Sequence, residues 1–287
     1  MQLDVKKEGP LYIQANPYDY PYDGNLVAHN TALIVIDMQT DFCGIGGYVD
    51  RMGYDLSLTR RAIAPIRRLL DAARTLPGFT IIHTREGHRT DLSDLPANKR
   101  WRSRQIGAEI GAGAPGNRIL VRGEPGWQII EELAPLPGEI VIDKPGKGSF
   151  YATDLDLILR TKGIRNLILA GITTDVCVHT TMREANDRGY ECLILEDCTG
   201  ATARDNHEAA LKMVTMQGGV FGGVSGSGHV LEALCRLGAT DAAGPTVAGG
   251  SGSVSGRAAG LGAEADGEFA GVSQTKAMGR YPEGGVR

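Results

Sequence analysis

One cysteine of the chain stands where a buried strand is predicted to give way to a helix. The apolar run 166–170 is followed by Gly-Ile-Thr-Thr-Asp-Val-Cys-Val at 171–178, and helix-like sequence continues to residue 188. Unpaired N–H groups and the dipole at a helix start stabilise a thiolate, and they can also hold an oxyanion. Cys177 is therefore the first candidate for a nucleophile that attacks a carbonyl. The alternative is a small buried residue that only packs at the junction.

Charged side chains follow two other predicted strands. Asp37 ends the apolar run 31–36, where desolvation raises the proton affinity of a carboxylate and suits it to act as a general base toward a thiol. Its alternative role is to cap the following turn. Lys144 and Lys147 lie in the glycine-containing loop 143–150, where they can stabilise a thiolate, bind a phosphate, or simply be solvated. The spacing of this loop is not that of a P-loop.

Short apolar strands alternate with helices along the chain and would position these residues. Strands are predicted at 32–36, 79–82, 139–142, 166–170, 191–195 and, more weakly, 219–224; helices are predicted at 59–75, 153–162, 177–188, 204–217 and 228–237. This alternation indicates parallel βαβ units and an α/β fold, a three-layer sandwich with a central, mostly parallel sheet of about six strands. Ligands bind such sheets at the carboxyl ends of the strands, where Asp37, Lys144 and Cys177 all fall.

Composition divides the chain into three parts. A single domain of about 230 to 240 residues fits the length and the 42% hydrophobic content better than two domains. We predict an N-terminal extension at 1–29, a globular domain at 30–237, and a flexible Gly/Ala/Ser-rich tail at 238–287. The segment 85–126 is long for a connection, which is typical of a functional lid or a partly ordered loop.

The net charge and the first residues of the sequence limit which binding partners and which cellular compartment we expect. A net charge of -4 and a pI near 5.9 give no basic field for nucleic acid. The sequence start lacks the apolar core of a signal peptide and no run approaches the ~18 apolar residues of a membrane span, so we expect a cytoplasmic protein without membrane contact. Its five cysteines should then be thiols. Cys43 and Cys198 follow strands that border the predicted site and can line it.

Three segments together resemble the signature blocks of the isochorismatase-like cysteine hydrolase superfamily. They are Val-Ile-Asp-Met-Gln at 35–39, Lys144 with Phe-Tyr-Ala-Thr-Asp-Leu at 150–155, and the Cys177 segment 171–178; the resemblance covers about residues 30–237. It implies the Rossmann-like isochorismatase fold and a homo-oligomer, a dimer or a tetramer. By the same resemblance, Asp37 accepts the Cys177 proton and later delivers it to the leaving nitrogen, while Lys144 holds the thiolate.

The resemblance also implies the oxyanion donors and the absence of a metal. The donors would be the backbone N–H groups of Thr173 and Cys177, with a cis peptide between Ile172 and Thr173. Nicotinamidases carry an Asp-x-His metal cluster that His83 and His88 do not reproduce, so no metal is expected. No cofactor is expected either.

Within the superfamily, further segments resemble biuret hydrolases. They are the segments 46–48, 84–88, 98–102, 144–150 and 216–222. The implied reaction is hydrolysis of a linear amide of a small ureido compound, biuret and water giving allophanate and ammonia through a thioester on Cys177. Such a reaction belongs to nitrogen metabolism, including s-triazine degradation. Triuret, ureidoacrylate and N-carbamoyl amides remain alternative substrates.

The residues that would contact a substrate can be named only as candidates. Lys147 and Gln217 are candidate donors to the distal carbonyl or carboxylate, and Phe42 and Phe150 are candidate apolar walls. Ordinary loop solvation or core packing is the alternative for each of them. Arg85 and Glu86 are weaker candidates.

Two functions of other classes compete with hydrolysis. The chain can be a non-catalytic ligand-binding protein that has kept the fold. It can also be a thiol redox sensor, which requires Cys198 or Cys43 as the resolving partner of Cys177.

Overall fold

Six strands form the central sheet of the protein, and every neighbouring pair is parallel. The computed structural model describes the backbone of residues 9–242 and the side chains of residues 9–239. The strands are β1 (Thr31–Ile36), β2 (Thr80–Glu86), β3 (Ile140–Lys144), β4 (Asn166–Ile172), β5 (Glu191–Gly200) and β6 (Gly223–Ser225). Their order across the sheet is β3-β2-β1-β4-β5-β6. The predicted α/β fold with a six-stranded parallel sheet is confirmed.

Helices connect the strands and cover both faces of the sheet. They are α1 (Thr40–Cys43), α2 (Tyr48–Arg51), α3 (Leu56–Arg60), α4 (Ile63–Ala73), α5 (Ala97–Gln105), α6 (Leu155–Thr161), α7 (His179–Asp187), α8 (Arg204–Thr215) and α9 (Ser227–Ala242). Short 3-10 turns lie at Ala28–Asn30, Pro125–Trp127, Glu131–Leu133 and Met216–Gly218, and a π-helical turn lies at Thr174–Val178. Among the helices within residues 9–242, none is long and apolar enough to cross a membrane.

Alternate residues of the buried strands pack into two separate hydrophobic cores. Leu33 and Val35 of β1 belong to one core, and Ala32, Ile34 and Ile36 belong to the other. Because successive side chains of a strand point to opposite faces, the two cores lie on the two sides of the sheet. This arrangement accounts for the near-continuous apolar sequence of β1.

Several predicted boundaries differ from the structure; for example, β5 continues to Gly200 rather than ending at 195, and the helix predicted at 59–75 is divided between α3 and α4. Strand β2 continues to Glu86 rather than ending at residue 82, because its polar end is buried against partners on β1 and β3. The segment 85–126, predicted to be a lid or a partly ordered loop, contains helix α5. Helix α9 continues to Ala242 rather than ending at 237, and the rest of the predicted tail, 243–287, lies outside the described residues.

The N-terminal extension, where it is described, packs on the domain. Ile13 and Tyr20 are buried, and Asn16 forms an antiparallel bridge with Val224 of β6. The hydroxyl of Tyr18 donates to Glu191 Oε1 at 2.9 Å. The extension therefore covers the open edge of β6, which would otherwise present unpaired backbone groups.

Gly171 permits the close approach of β4 to the end of β1. It has a φ of 109°, and a Cβ at this position would lie 2.1 Å from the carbonyl oxygen of Ile36. We expect Gly171→Ala to lower the free energy of unfolding by about 3 kcal/mol or more, because it adds a backbone clash to an unfavourable φ. Urea denaturation followed by circular dichroism measures the change.

Gly163→Ala is the matched control for this substitution. Gly163 also has a positive φ, 69°, but its Cβ would meet no atom within 4 Å. It should cost only about 1 kcal/mol, from the left-handed backbone alone. Equal losses in the two variants would contradict the clash with Ile36.

Candidate active site

Four neighbouring strands deliver polar side chains to one edge of the sheet. Lys144 ends β3, Glu86 ends β2, Asp37 follows β1, and Cys177 follows β4 through the π-helical turn. Chain order reverses between β1 and β4, the position at which open α/β sheets bind their ligands. All four residues are buried, with Cys177 only 3% exposed.

Asp37 and Lys144 form a buried ion pair. Lys144 Nζ lies 2.7 Å from Asp37 Oδ2, and it donates hydrogen bonds to the carbonyls of Gly146 and Lys147 at 3.0 and 2.9 Å. The hydroxyl of Thr84 donates to Asp37 Oδ1 at 2.6 Å. Within residues 9–239, Asp37 Oδ2 has no aligned hydrogen bond, so its contact with Lys144 is electrostatic and the oxygen can accept a proton.

Asp37 also adopts an unusual backbone conformation. Its φ is 51°, in the left-handed region that aspartate tolerates better than most residues. Its backbone N–H donates to the carbonyl of Thr84 at 3.2 Å, which fixes the turn after β1. The conformation stands at the position where the sequence predicts the general base, as expected of a functional site.

The thiol of Cys177 contacts a second carboxylate. Its Sγ donates to Glu86 Oε2 at 3.4 Å, and Sγ and one carboxylate oxygen each of Asp37 and Glu86 all lie within 4.8 Å of one another. Both carboxylates are therefore within reach of the thiol proton. The sequence singles out Asp37 for this position, whereas Glu86 is only a weak candidate there.

Glu86 is surrounded by three lysine ammonium groups. Its Oε1 lies 2.7 Å from Lys99 Nζ and 3.2 Å from Lys147 Nζ, and its Oε2 lies 3.7 Å from Lys144 Nζ. Lys99 comes from α5 and also donates to the carbonyl of Pro145 at 2.9 Å. The ion pair with Glu86 and the hydrogen bond to Pro145 hold helix α5 against the site.

The surroundings move the pKa values of the two carboxyl groups in opposite directions. Burial raises the pKa of Asp37 despite Lys144. Burial opposes ionisation of Glu86 as well, but Lys147, Lys144 and Lys99 together hold its pKa below the ordinary value. Two carboxyl groups separated in this way suit different roles: the raised pKa of Asp37 suits it to exchange protons, and the lowered pKa of Glu86 suits it to remain an anion.

Cys177 rests as a thiol. Burial raises its pKa well above the ordinary value, and the opposing effect of Lys144 does not reverse the shift. The sequence indicates a thiolate stabilised at a helix start, but the buried site keeps the proton until it can be passed to a base. Lys144 itself stays protonated, because the nearby carboxylates of Asp37 and Glu86 raise its pKa despite burial.

The buried cluster resembles a metal site in its ligand types, but lysine side chains already supply its positive charge. Asp37, Glu86 and Cys177 are grouped closely enough for each to offer one ligand atom to a metal ion. The two carboxylates are already paired with Lys144, Lys99 and Lys147. A divalent cation would therefore have to enter beside three ammonium groups, so the donor set does not favour it.

A cavity of about 430 Å³ lies beside the cluster, because Lys99 and Lys147, which pair with Glu86, are among its lining residues. Tyr48 and Trp101 line it as well. The charges of Lys147 and Glu86 act on the Tyr48 hydroxyl, which places Tyr48 beside the cluster; the pKa of Tyr48 is raised, chiefly by burial. The side chain of Lys147 is 42% exposed, so it lies where the buried cluster meets solvent.

The predicted substrate residues are distributed unevenly. Thr173 is buried, its peptide bond with Ile172 is cis as the resemblance implies, and its carbonyl accepts from the N–H groups of Val176 and Val178. Lys147 reaches the cluster through Glu86. The roles of Thr173 and Lys147 toward a substrate stay predictions.

Phe42 and Phe150 are buried in the hydrophobic cores, whereas Gln217 is exposed. Phe150 stacks on Tyr190 with ring centroids 6.0 Å apart and shares a hydrophobic core with Cys177. Phe42 packs against Tyr48 in the other core. Gln217 lies exposed in the turn after α8, and no contact within the described part of the chain joins it to Cys177. Their predicted roles are not tested by these positions.

The cysteines proposed as redox partners are buried in a different core. Cys43 and Cys198 pack in the core that contains Leu33, whereas Cys177 packs in the core that contains Ile34. The sheet therefore lies between them and the nucleophile. This arrangement argues against a disulfide that joins either cysteine to Cys177.

Comparison with known proteins supports the same family. The model of the isochorismatase domain matches residues 31–224. The ureidoacrylate amidohydrolase RutB of Azorhizobium caulinodans is 34% identical over 178 residues, which are 61% of this chain and 78% of that protein. The RutB of Stutzerimonas stutzeri is 37% identical over 175 residues, 60% of this chain and 70% of that protein.

Solved structures show the same fold. A cysteine hydrolase from Pseudomonas syringae pv. phaseolicola superposes with a TM-score of 0.62 at 28% identity, covering 74% of this chain and 95% of that one. The N-carbamoylsarcosine amidase of Thermoplasma acidophilum gives a TM-score of 0.52 at 26% identity, covering 69% and 96%. With Cys177, Asp37 and Lys144 assembled at the edge of its sheet, the chain belongs to the isochorismatase family, as an isochorismatase-like cysteine hydrolase.

Proposed function

We propose that the protein is an amidohydrolase that cleaves a linear amide of a small ureido compound, with biuret as its preferred substrate. The observation that carries the proposal is the buried group of Cys177, Asp37 and Lys144, with a paired anion, Glu86, beside the thiol. An amide is a poor electrophile with a poor leaving group. Its hydrolysis needs an activated nucleophile, a proton donor to nitrogen and oxyanion stabilisation in one place.

The first half-reaction uses the raised proton affinity of Asp37. Asp37 accepts the Cys177 proton, and the thiolate forms a bond to the carbonyl carbon while the backbone N–H groups of Thr173 and Cys177 stabilise the oxyanion. Asp37 then gives its proton to the departing nitrogen, and the C–N bond breaks to release ammonia. A thioester on Cys177 remains.

Water completes the reaction through the same groups. Asp37 takes a proton from water as the oxygen attacks the thioester carbonyl. The C–S bond breaks, and Asp37 returns the proton to the departing sulfur. Lys144 stays charged throughout and stabilises the negative charge, which moves between Asp37 and Cys177.

The charges around the thiol favour a neutral, N–H-rich substrate. Glu86 can accept an N–H of a ureido group, but it repels a carboxylate at the same position. Two of its ammonium neighbours, Lys99 and Lys147, are already paired with it. Biuret carries amide N–H groups on every side and no carboxylate, so it matches these groups without an unpaired charge.

Ureidoacrylate is the second candidate. The ureidoacrylate amidohydrolases RutB are 34% and 37% identical to this chain. Lys147, which lines the cavity and is partly exposed, can pair with a substrate carboxylate that points toward solvent. The two candidates therefore differ in what lies at the distal end of the substrate.

An ammonia-release assay over biuret, triuret, ureidoacrylate, N-carbamoyl amino acids and nicotinamide separates the candidates. We expect kcat/KM for biuret to exceed that for ureidoacrylate by about tenfold or more, because the carboxylated substrate must be accommodated beside Glu86. A higher kcat/KM for ureidoacrylate would replace biuret as the substrate. Absence of turnover across the panel would favour the non-catalytic ligand-binding alternative.

A further inference from the structure

Glu86 is a buried carboxylate beside the nucleophile to which the proposed mechanism assigns no role. The base, the nucleophile and the cation of the mechanism are Asp37, Cys177 and Lys144. Glu86 is nevertheless fully buried beside them, and its Oε2 accepts the Cys177 thiol hydrogen at 3.4 Å. A buried carboxylate is costly unless it is paired, and this one is held by three ammonium groups.

The two oxygens of Glu86 have different surroundings. Oε1 accepts hydrogen bonds from Lys99 at 2.7 Å and Lys147 at 3.2 Å. Oε2 has the thiol as its hydrogen-bond donor, with Lys144 Nζ at 3.7 Å. Lys99 and Lys147 thus fix the orientation of the carboxylate, and Oε2 remains directed at the nucleophile. A thiol is a weak donor, so this bond is easily exchanged for one from an amide N–H.

We propose that Glu86 binds the substrate directly: its Oε2 releases the Cys177 thiol hydrogen and accepts an N–H of the ureido group whose carbonyl is attacked. Losing this hydrogen bond frees the thiol to turn its proton toward Oδ2 of Asp37, which is ion-paired with Lys144 but, within residues 9–239, accepts no aligned hydrogen bond. Substrate binding and activation of the nucleophile are thereby coupled. This inference rests on the proposed function and extends it to the substrate class, compounds that present an N–H beside the scissile carbonyl.

Charges on neighbouring elements agree with these roles. The Cys177–Glu86 pair interacts electrostatically with groups from several elements. They are Asp37 after β1, Lys144 of β3, Lys147 after β3, Lys99 of α5 and Tyr48 of α2. The charge of Glu86 raises the pKa of Cys177. A variant without this charge should therefore ionise its thiol more easily while it binds substrate less well. Simple loosening of the structure would not require the two effects to be linked in this way.

Alkylation of Cys177 by iodoacetamide tests the thiol contact without any substrate. A Cys235→Ser background removes the one exposed cysteine of the described region. Because burial raises the pKa of Cys177, the midpoint of the alkylation rate against pH should be high in the parent, and in Glu86→Gln we expect it to fall by about one unit. Lys99→Met removes a positive charge near the same carboxylate and should move the midpoint upward. Faster alkylation in both variants would indicate loosening and overturn the assigned contact.

Steady-state kinetics test the exchange with the substrate. We expect Glu86→Gln, which keeps an acceptor oxygen, to raise KM for biuret by about tenfold, and Glu86→Leu, which keeps none, to raise it by about 100-fold. Glu139→Gln is the matched control: Glu139 is also an ion-paired and mostly buried carboxylate, but it pairs with Arg74 near the start of β3. Its KM and its alkylation midpoint should equal those of the parent.

The outcomes separate this inference from the proposed function. If the parent hydrolyses ureido compounds and both Glu86 variants retain its KM, the exchange is overturned and the proposed function stands. If the parent hydrolyses none of them, the proposed function fails, and the substrate half of this inference fails with it. Opposite shifts of the alkylation midpoint together with the graded rise in KM support the exchange.

Discussion

Replacing Cys177 with alanine is expected to reduce kcat for the ureido substrate by about 10⁴-fold or more. No other group in the buried cluster can form the thioester, because its neighbours are carboxylates and ammonium groups that are paired with one another. Binding should persist in the variant, since Glu86, Lys147 and the cavity are retained. Ammonia release measures the first effect, and calorimetric titration with biuret measures the second.

Cys192→Ala provides the matched control. Cys192 is also fully buried, but it packs within β5, and burial raises its pKa above the ordinary value without a neighbouring ammonium group among the causes. We expect it to retain activity within about twofold and to lose only about 1 kcal/mol of stability from the deleted atom. Activity retained in Cys177→Ala, with Cys192→Ala equally active, would contradict the thioester mechanism.

The strand ends of the site could be predicted from the sequence because each interrupts an apolar run. Asp37 follows six consecutive buried residues, and the segment with Cys177 follows β4, which is buried throughout. A polar residue after such a run falls at the sheet's edge, and the three signature segments then identify which polar residues belong together. The topology follows from the same alternation of strands and helices.

Glu86 and Lys99 could not be placed in the same way. The end of β2 reads His-Thr-Arg-Glu, a polar sequence that does not look like a buried strand. It is buried because His83 pairs with Glu139 and because Thr84 and Glu86 face charged partners on other strands. Lys99 lies in a segment without apolar periodicity, and only folding brings α5 over the site. Pairing of polar groups across distant elements leaves no local pattern in a sequence.

Replacing Lys144 with methionine is expected to cost about 3 to 5 kcal/mol of stability and to abolish measurable turnover. The substitution keeps most of the unbranched side chain, which is one atom shorter, but leaves the fully buried Asp37 without the cation 2.7 Å away. Urea denaturation measures the stability, and ammonia release measures the turnover. Lys147→Met is the matched control, because this lysine stands in the same loop with its side chain 42% exposed, and its stability loss should be smaller.

A double variant distinguishes an unpaired charge from simple loss of packing. Asp37→Asn alone leaves Lys144 with only the more distant Glu86, at 3.7 Å, as a carboxylate partner, whereas Asp37→Asn combined with Lys144→Met removes both charges of the pair. We expect the double variant to be more stable than Lys144→Met alone, although it should be equally inactive. Additive losses in the double variant would mean that the two residues do not act as a pair.

The pH dependence of stability identifies the carboxyl group that Lys144 compensates. Burial already raises the pKa of Asp37 in the folded protein, and removal of Lys144 should raise it further. A carboxyl group whose pKa is higher in the folded state favours folding at low pH and loses that contribution as pH rises. Lys144→Met should therefore lose stability from about pH 5 to pH 8 more steeply than the parent. The comparison stays above about pH 4.5 because Glu86, whose pKa is lowered, contributes stability that is lost below its ordinary range. Parallel stability curves for the parent and the variant would show that Asp37 is not the group that depends on Lys144.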